Sequence, residues 1–262
     1  MSPTVTALVA SALAIVVLML VTWGISVAIK NASIVDIVWG LGFVVVAWTV
    51  RLAVDEGLDA RQWLLVTMTT VWGLRLAGYL AWRNLGHGED YRYRAMRRHH
   101  GPKFPLISLY SVFALQGALM WIVSLPVQLG QADATPDIGV IAIAGVVMFL
   151  VGLFFEVVGD AQLARFKADS ANAGTVMDRG LWQYTRHPNY FGDCCVWWGI
   201  ALVAAETGTG AIGLIGAVVM TVLLRRVSGV TFLEKTIVKR REGYGGYIER
   251  TSPFIPRPPK RA

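Results

Sequence analysis

The run from Tyr184 to Gly199, Tyr-Thr-Arg-His-Pro-Asn-Tyr-Phe-Gly-Asp-Cys-Cys-Val-Trp-Trp-Gly, carries the residue types best suited to chemistry in this chain. Pro188 lacks an N–H and has its φ already set for a first helical turn, so it opens a helix. Asn189, Tyr190 and Asp193 then fall on one or adjacent faces of that first turn. Free backbone N–H groups at such a helix mouth, with Arg186 and His187 ahead of it, suit an anionic ligand. The plainer alternative is an interfacial anchor, with Arg, His, Tyr and Trp at the level of lipid headgroups.

Five ionisable positions, Asp193 among them, are costly enough to be informative. Asp36, Arg75, Glu156, Asp160 and Asp193 all fall inside apolar stretches, where a central charge costs at least ~2.5 kcal/mol. Glu156 and Asp160 are i, i+4 on one helix face, and Asp36 shares a face with Trp39 and Gly40. Two carboxylates on one face repel unless donors meet them, such as an amide, a ribose, Arg75 or a Trp N–H. A structural partner inside a helix bundle accounts for any one of these groups; five together point to a polar site.

Two polar segments add to this. Gly88 to Arg94, followed by Met96-Arg97-Arg98-His99-His100, interleaves cations with aromatics, which suits a phosphate and a flat base, or else a basic loop held near anionic lipid. The tail places Tyr244, Tyr247 and Arg250 at three-residue intervals after Glu234, and its Pro-rich end cannot continue a helix.

Positioning these groups falls to membrane helices. Of 262 residues, 55% are hydrophobic and 16% charged, and the mean hydropathy is +0.54, which excludes an ordinary soluble domain. Seven stretches approach the length of about 20 apolar residues that a bilayer demands, near 5–29, 34–54, 62–82, 105–130, 138–163, 189–206 and 211–232. Of the 24 Lys and Arg, 21 lie at one set of ends. By the positive-inside rule the N-terminus is outside and the C-terminus cytosolic, and the +7 charge reflects topology rather than nucleic-acid binding. The expected architecture is therefore all-α: a seven-helix membrane bundle forming one catalytic domain over 1–262, with cytosolic segments 83–104, 164–188 and 233–262. The ionisable groups all fall in the cytosolic half and the outer halves read as bare hydrocarbon, which describes a pocket open to the cytoplasm alone.

Other patterns carry less. Gly208-Thr209-Gly210-Ala211-Ile212-Gly213 fits G-x-G-x-x-G but follows no strand, so no Rossmann site is expected. His99 and His100 diverge on a helix, and no metal site is expected. Asn31-Ala32-Ser33 is a formal glycosylation triplet on the cytosolic side and is discounted. Cys194 and Cys195 leave a helix about 100° apart and read as free thiols. The N-terminal run reads as a retained helix rather than a signal peptide.

Asn189-Tyr190-Phe191-Gly192-Asp193, then Trp197-Trp198-Gly199 and Ala201-Leu202, resembles the signature of the membrane steroid 5-alpha-reductase family. Asp178-Arg179-Gly180-Leu181-Trp182 and the Gly152 to Asp160 stretch are also similar, and the likeness extends over roughly 145–256. The resemblance implies a bacterial member in the inner membrane, taking hydride from NADPH on the cytosolic side and giving it to a conjugated enone lipid, such as a 3-oxo-4-ene steroid. Carried over by position, Asn189, Asp193 and Asp160 match cofactor-holding residues, Lys167 and Arg179 the neighbouring basic stretch, and Glu156 a position where animal members carry Asn. The family's catalytic carboxylate matches Asp36, with Val35 in place of the family's Gln. Its catalytic tyrosine falls near Trp72, and Arg75 matches a family Arg. An indole N–H is a poor proton donor, so Tyr79 or Tyr91 stands as the replacement. The implied site is thus Asp36, Tyr91 and Trp72 for catalysis, with Asp36, kept protonated by a low-dielectric site, polarising the enone oxygen and a nearby tyrosine assisting. The cofactor falls to Arg75, Glu156, Asp160, Lys167, Arg179, Arg186, His187, Asn189, Tyr190, Asp193, Glu234, Tyr244, Tyr247 and Arg250. An apolar substrate entering from the bilayer, contact with membrane lipid and a monomeric state complete the expectation.

Arg186-His187-Pro188-Asn189-Tyr190-Phe191-Gly192 with Glu234, Tyr244 and Tyr247 also fits S-adenosylmethionine-dependent membrane methyltransferases of isoprenylcysteine and phospholipids. Asn189 with Asp193, and the intramembrane Asp36, favour the reductase. A transporter or lipid-binding scaffold would need polar groups on both sides of the midplane.

Overall fold

The computed structural model describes residues 1–54, 60–133, 138–227, 241 and 243–260. Every regular element among them is helical, as composition demands, since in lipid a helix satisfies its own backbone polar groups. Among the described residues six helical stretches are long and apolar enough to cross a membrane: Pro3–Ala28, Ile34–Ala53, Ala60–Asn84, Tyr91–Val123, Val140–Ala168 and Gly210–Val227. The chain is therefore an integral membrane protein. Seven spans were expected. The stretch at 189–206 forms the 17-residue helix Pro188–Ala204, whose first turn is polar, so its apolar part falls short of a ~30 Å core at 1.5 Å per residue. With six spans, the opposed placement of the two termini loses its basis.

The chain divides into two compact units, Met1–Ala142 with Ile200–Gly216, and Ile143–Gly199 with Ala217–Ala262.

In the first unit, α1 (Pro3–Ala28) is capped by Ser2, whose hydroxyl accepts from the Val5 N–H, and Pro3 stands at its start. Helices α2 (Ile34–Ala53) and α3 (Ala60–Asn84) cross back to back at Gly40 and Gly73. A Cβ on either glycine would lie 2.6 Å from the other's carbonyl oxygen, so only glycine permits the contact. Trp39, Phe43 and Trp72 pack edge to face beside it, with centroids 5.1 and 5.5 Å apart.

Beyond α4 (Tyr91–His100) the chain runs through α5 (Phe104–Ser108), a π-helical turn (Leu109–Ala114), α6 (Leu115–Val123) and α7 (Leu125–Gln131). The helix breaks at Ser124, ahead of Pro126, and the carbonyl of Trp121 accepts from Ser124 Oγ and Gln128 Nε2. Gln128 Oε1 accepts from Ser11, Gln131 donates to the Ala47 and Val127 carbonyls, Gln62 donates to the Gln131 carbonyl, and Arg61 to that of Asp133. These side chains are fully buried. The expectation of bare hydrocarbon at this end, remote from Asp36, is thus corrected: a broken helix exposes carbonyls that a side-chain hydroxyl, amides and a guanidinium satisfy.

In the second unit, α8 (Val140–Ala168) and α9 (Pro188–Ala204) run antiparallel along glycines spaced seven apart, Gly145, Gly152 and Gly159 against Gly192 and Gly199. A Cβ on Gly152 would lie 2.6 Å from the Gly192 carbonyl oxygen, and one on Gly199 2.6 Å from that of Gly145. Helix α10 (Leu214–Val222) follows, its Thr221 hydroxyl accepting from Trp198 and lying 3.3 Å from Cys194 Sγ. The tail helix α11 (Tyr244–Arg250) leads into a strap paired with 184–186, where Arg186 N–H donates to Ser252 and Arg257 N–H to Tyr184.

Gly192→Leu forces two backbones apart and is expected to lower the thermal midpoint sharply, by at least ~2 kcal/mol in stability. Gly24→Ala meets nothing within 4 Å and is expected to leave the midpoint unchanged or slightly raised; differential scanning fluorimetry in detergent compares the two.

Candidate functional site

The polar centre of the first unit forms around Asp36. Located in the first turn of α2, this carboxylate accepts from Arg92 Nη2 at 2.8 Å and from the Tyr93 hydroxyl at 2.8 Å. Its side chain is 18% exposed, so the group is reachable yet shielded. Gln116 Nε2 approaches the Tyr93 oxygen at 3.4 Å.

Local sequence explains why α4 presents these two residues. Asp90 caps the helix by accepting from the Arg92 N–H at 2.9 Å, and it also accepts from Arg92 Nε at 2.9 Å. Asp90 N–H donates to Ser33 Oγ at 3.1 Å, tying the α4 cap to the start of α2. Next to it, Glu89 accepts from the Ala32 N–H at 2.8 Å and from both Arg97 Nε and Nη2, at 2.9 and 2.8 Å, a bidentate pair. Burial pushes the Glu89 carboxyl up, but the hydrogen bonds from Arg97 and Ala32 outweigh it and hold the group below the ordinary carboxylate range.

Tyrosine is therefore present at Asp36, but it is Tyr93 rather than the expected Tyr91 or Tyr79. Tyr91 points outward and is 48% exposed. Trp72 is fully buried against Phe43, packed as a core side chain, and the Arg75 guanidinium lies 5.4 Å from the Tyr79 ring centre. The missed signal was the Asp90 cap, which sets the register of the helix and turns Tyr93, two residues on from Tyr91, to the opposite side.

In the second unit, the glycine crossing brings together the residues singled out on both helices. Glu156 and Asp160 are buried on α8, and Asn189 Nδ2 donates to Asp160 Oδ1 at 3.0 Å. His187 stacks on Tyr190 with ring planes 7° apart. Asp193 is half-buried one turn further along α9. Arg186, expected to meet an anion, instead donates to the Ile248 and Thr251 carbonyls and is 6% exposed. It serves as a C-terminal cap for α11, meeting one carbonyl of the last turn and one just beyond it. The Tyr247 hydroxyl donates to the Trp182 carbonyl, and Tyr244 packs edge-on against its ring. Arg250 reaches Asp178 at 3.5 Å. Lys167 is exposed. Glu234 lies outside the described residues.

A cleft of about 360 Å³ opens at the end of α8, lined by Gln162, Arg165, Phe166, Asp169, Asn172, Met177, Arg179 and Gly180. Gly180 adopts a φ of 60°, where a side chain would collide with the Gln162 amide; that amide accepts from the Leu181 N–H at 2.9 Å. Arg179 lies 5.7 Å from the Phe166 ring centre and bonds Asn172 at 3.3 Å. Two guanidinium groups beside an aromatic face can hold phosphate and a flat ring. Of its lining only Arg179 was expected; Gln162, Arg165, Phe166 and Asn172 gave no sequence signal apart from the likeness around Asp178 to Trp182.

Residues 22–251 match a family described as a protein of unknown function, DUF1295. The chain belongs to the DUF1295 family. An uncharacterized protein of Schizosaccharomyces pombe, C594.04c, is 24% identical over 277 residues, covering 90% of this chain and 76% of its own length. No solved structure matches. The DUF1295 match takes in α2, α4, α8 and α9, and so every element that bears the polar groups above.

Because Glu89 is held below its unfolded value, its contribution is present at neutral pH and is lost as pH falls through the folded value, below the usual ~4.3. Glu89→Gln is expected to cost about 2 kcal/mol at pH 7 and to flatten the acid limb of a thermal-stability profile against pH.

Proposed function

We propose that this DUF1295 protein reduces the carbon–carbon double bond of a conjugated enone in a lipid, such as a 3-oxo-4-ene steroid, using NADPH. The proposal makes it a bacterial member of the steroid 5-alpha-reductase family, residing in the inner membrane with its polar ends toward the cytoplasm. The observation that carries it is the Asp36 carboxylate at the start of an apolar span, meeting Tyr93 and Arg92. A structural ion pair alone does not need a phenol, whereas an enone does need a donor at its oxygen as enolate charge develops.

The chain's own groups divide the work. Tyr93 polarises the carbonyl oxygen by turning its hydroxyl from Asp36 to the substrate, while Arg92 stays on Asp36, holding it in place and balancing its charge. The Arg165, Phe166, Asn172 and Arg179 cleft fits the phosphates and adenine of a dinucleotide. When bound, NADPH supplies the hydride to the β-carbon; the α-carbon is protonated afterwards. In the second unit Asp160 and Asn189 present a carboxylate and an amide that suit a ribose. Methyl transfer from S-adenosylmethionine is the weaker reading, since Arg186, central to that pattern, is spent on the tail carbonyls.

Thermal-shift titration with NADPH and with S-adenosylmethionine separates the two: a shift with NADPH alone supports reduction, and one with S-adenosylmethionine alone overturns it. Asp36→Asn and Tyr93→Phe are expected to lower enone-dependent NADPH consumption by about 10²-fold or more, as loss of a general acid does, without abolishing the NADPH thermal shift. Full turnover in Asp36→Asn would remove Asp36 from the mechanism.

A further inference from the structure

Helix α4 has two faces, and only one of them serves Asp36. Tyr93, Met96, Arg97 and His100 form the packed side. There Tyr93 bonds Asp36, while Arg97 bonds Glu89 and lies 4.4 Å from the Phe104 ring centre. Tyr91, Arg94 and Arg98, at i, i+3 and i+7, form the other side, and all three are exposed. Arg94 and Arg98 make no hydrogen bond or ion pair with any described residue. Lys103, also exposed, follows three residues after the helix.

Location identifies what this face meets. α4 is the leading end of the 33-residue stretch Tyr91–Val123 whose remainder is apolar enough to cross a membrane, and it follows closely on the end of the span α3. Large apolar side chains stand exposed on both flanks in sequence, Trp82 at 68% and Leu85 at 64% before it, Leu106 at 66% and Tyr110 at 61% after it. Side chains of that kind are at rest in lipid, and aromatic ones gather at its interface. A ten-residue helix between two such flanks is suited to headgroup depth, where lipid phosphate offers counter-charge; among the described carboxylates Glu89 feels the Arg94 charge but is already paired with Arg97.

We infer that the Tyr91, Arg94 and Arg98 face of α4 is a binding site for anionic phospholipid headgroups. Two guanidinium groups one turn apart meet phosphate oxygens through paired N–H donors, and Tyr91 fills the interfacial layer beside them. Headgroup binding there fixes the helix that carries Arg92 and Tyr93. The inference does not depend on which reaction the protein catalyses.

The test uses the full chain in nanodiscs of phosphatidylcholine, with and without phosphatidylglycerol. Native mass spectrometry of released protein counts retained lipid, and fluorimetry reads the thermal midpoint. The wild type is expected to retain phosphatidylglycerol in preference to phosphatidylcholine and to melt higher in the anionic discs. Arg94→Gln with Arg98→Gln is expected to reduce that preference roughly thirty-fold and remove the rise in midpoint, while melting as wild type in phosphatidylcholine alone; Arg94→Lys with Arg98→Lys is expected to keep most of both. Equal retention of the two lipids by the wild type, or undiminished preference in the Gln variant, overturns the inference. So does an equal rise in midpoint on adding inorganic phosphate to phosphatidylcholine discs, which would mark a solvent anion site instead.

Discussion

Backbone-to-backbone contact at glycine is the constraint on which the rest of this structure depends. Helices surrounded by lipid gain little from burying apolar side chains against each other, because acyl chains are as apolar as leucine. What holds them is close approach, where dispersion and weak Cα–H···O contacts act over a long seam. Gly40 meets Gly73 in the first unit, and Gly145, Gly152 and Gly159 meet the Gly192 and Gly199 helix in the second. Each polar group of interest lies within a turn of such a contact: Asp36 beside Gly40, Glu156 and Asp160 beside Gly152 and Gly159, Asp193 beside Gly192. The crossings therefore fix the helix faces from which the carboxylates project.

Charge at the Asp36 end is sustained by mutual saturation. The α1–α2 turn and the start of α4 are joined through the Ala32 N–H, Glu89 and Arg97 on one side, and through Ser33, Asp90, Arg92 and Asp36 on the other. In a medium of low dielectric, an ion lacking a partner is costly, and each of these acids meets a guanidinium. Tyr93 is the neutral side-chain donor to Asp36. A donor of that kind can turn from its carboxylate to a substrate oxygen without leaving a bare charge behind, which a guanidinium cannot do.

The second unit divides its cations by task. Arg186 is buried and holds the carbonyl end of the tail helix. Arg179 and Arg165 stay at an open cleft next to Phe166. The two roles are indistinguishable in a list of basic residues and are separated by whether unsatisfied carbonyls lie within reach.

Membrane insertion, helical class, the start of α9 at Pro188 and the expense of Asp36, Glu156, Asp160 and Asp193 were legible in the sequence alone. They depend on hydropathy, on a missing N–H and on the cost of charge in lipid, all of which are local. The pairing Asn189–Asp160 was foreshadowed by two polar residues on helices that had to pack. Tertiary structure alone decided that Tyr93, not Tyr91, reaches Asp36, that Arg186 caps a helix, that buried glutamines line the far end of the first unit, and that α9 is a 17-residue helix. Those outcomes turn on register and on which carbonyls a broken helix leaves open, and both are set by contacts between segments far apart along the chain.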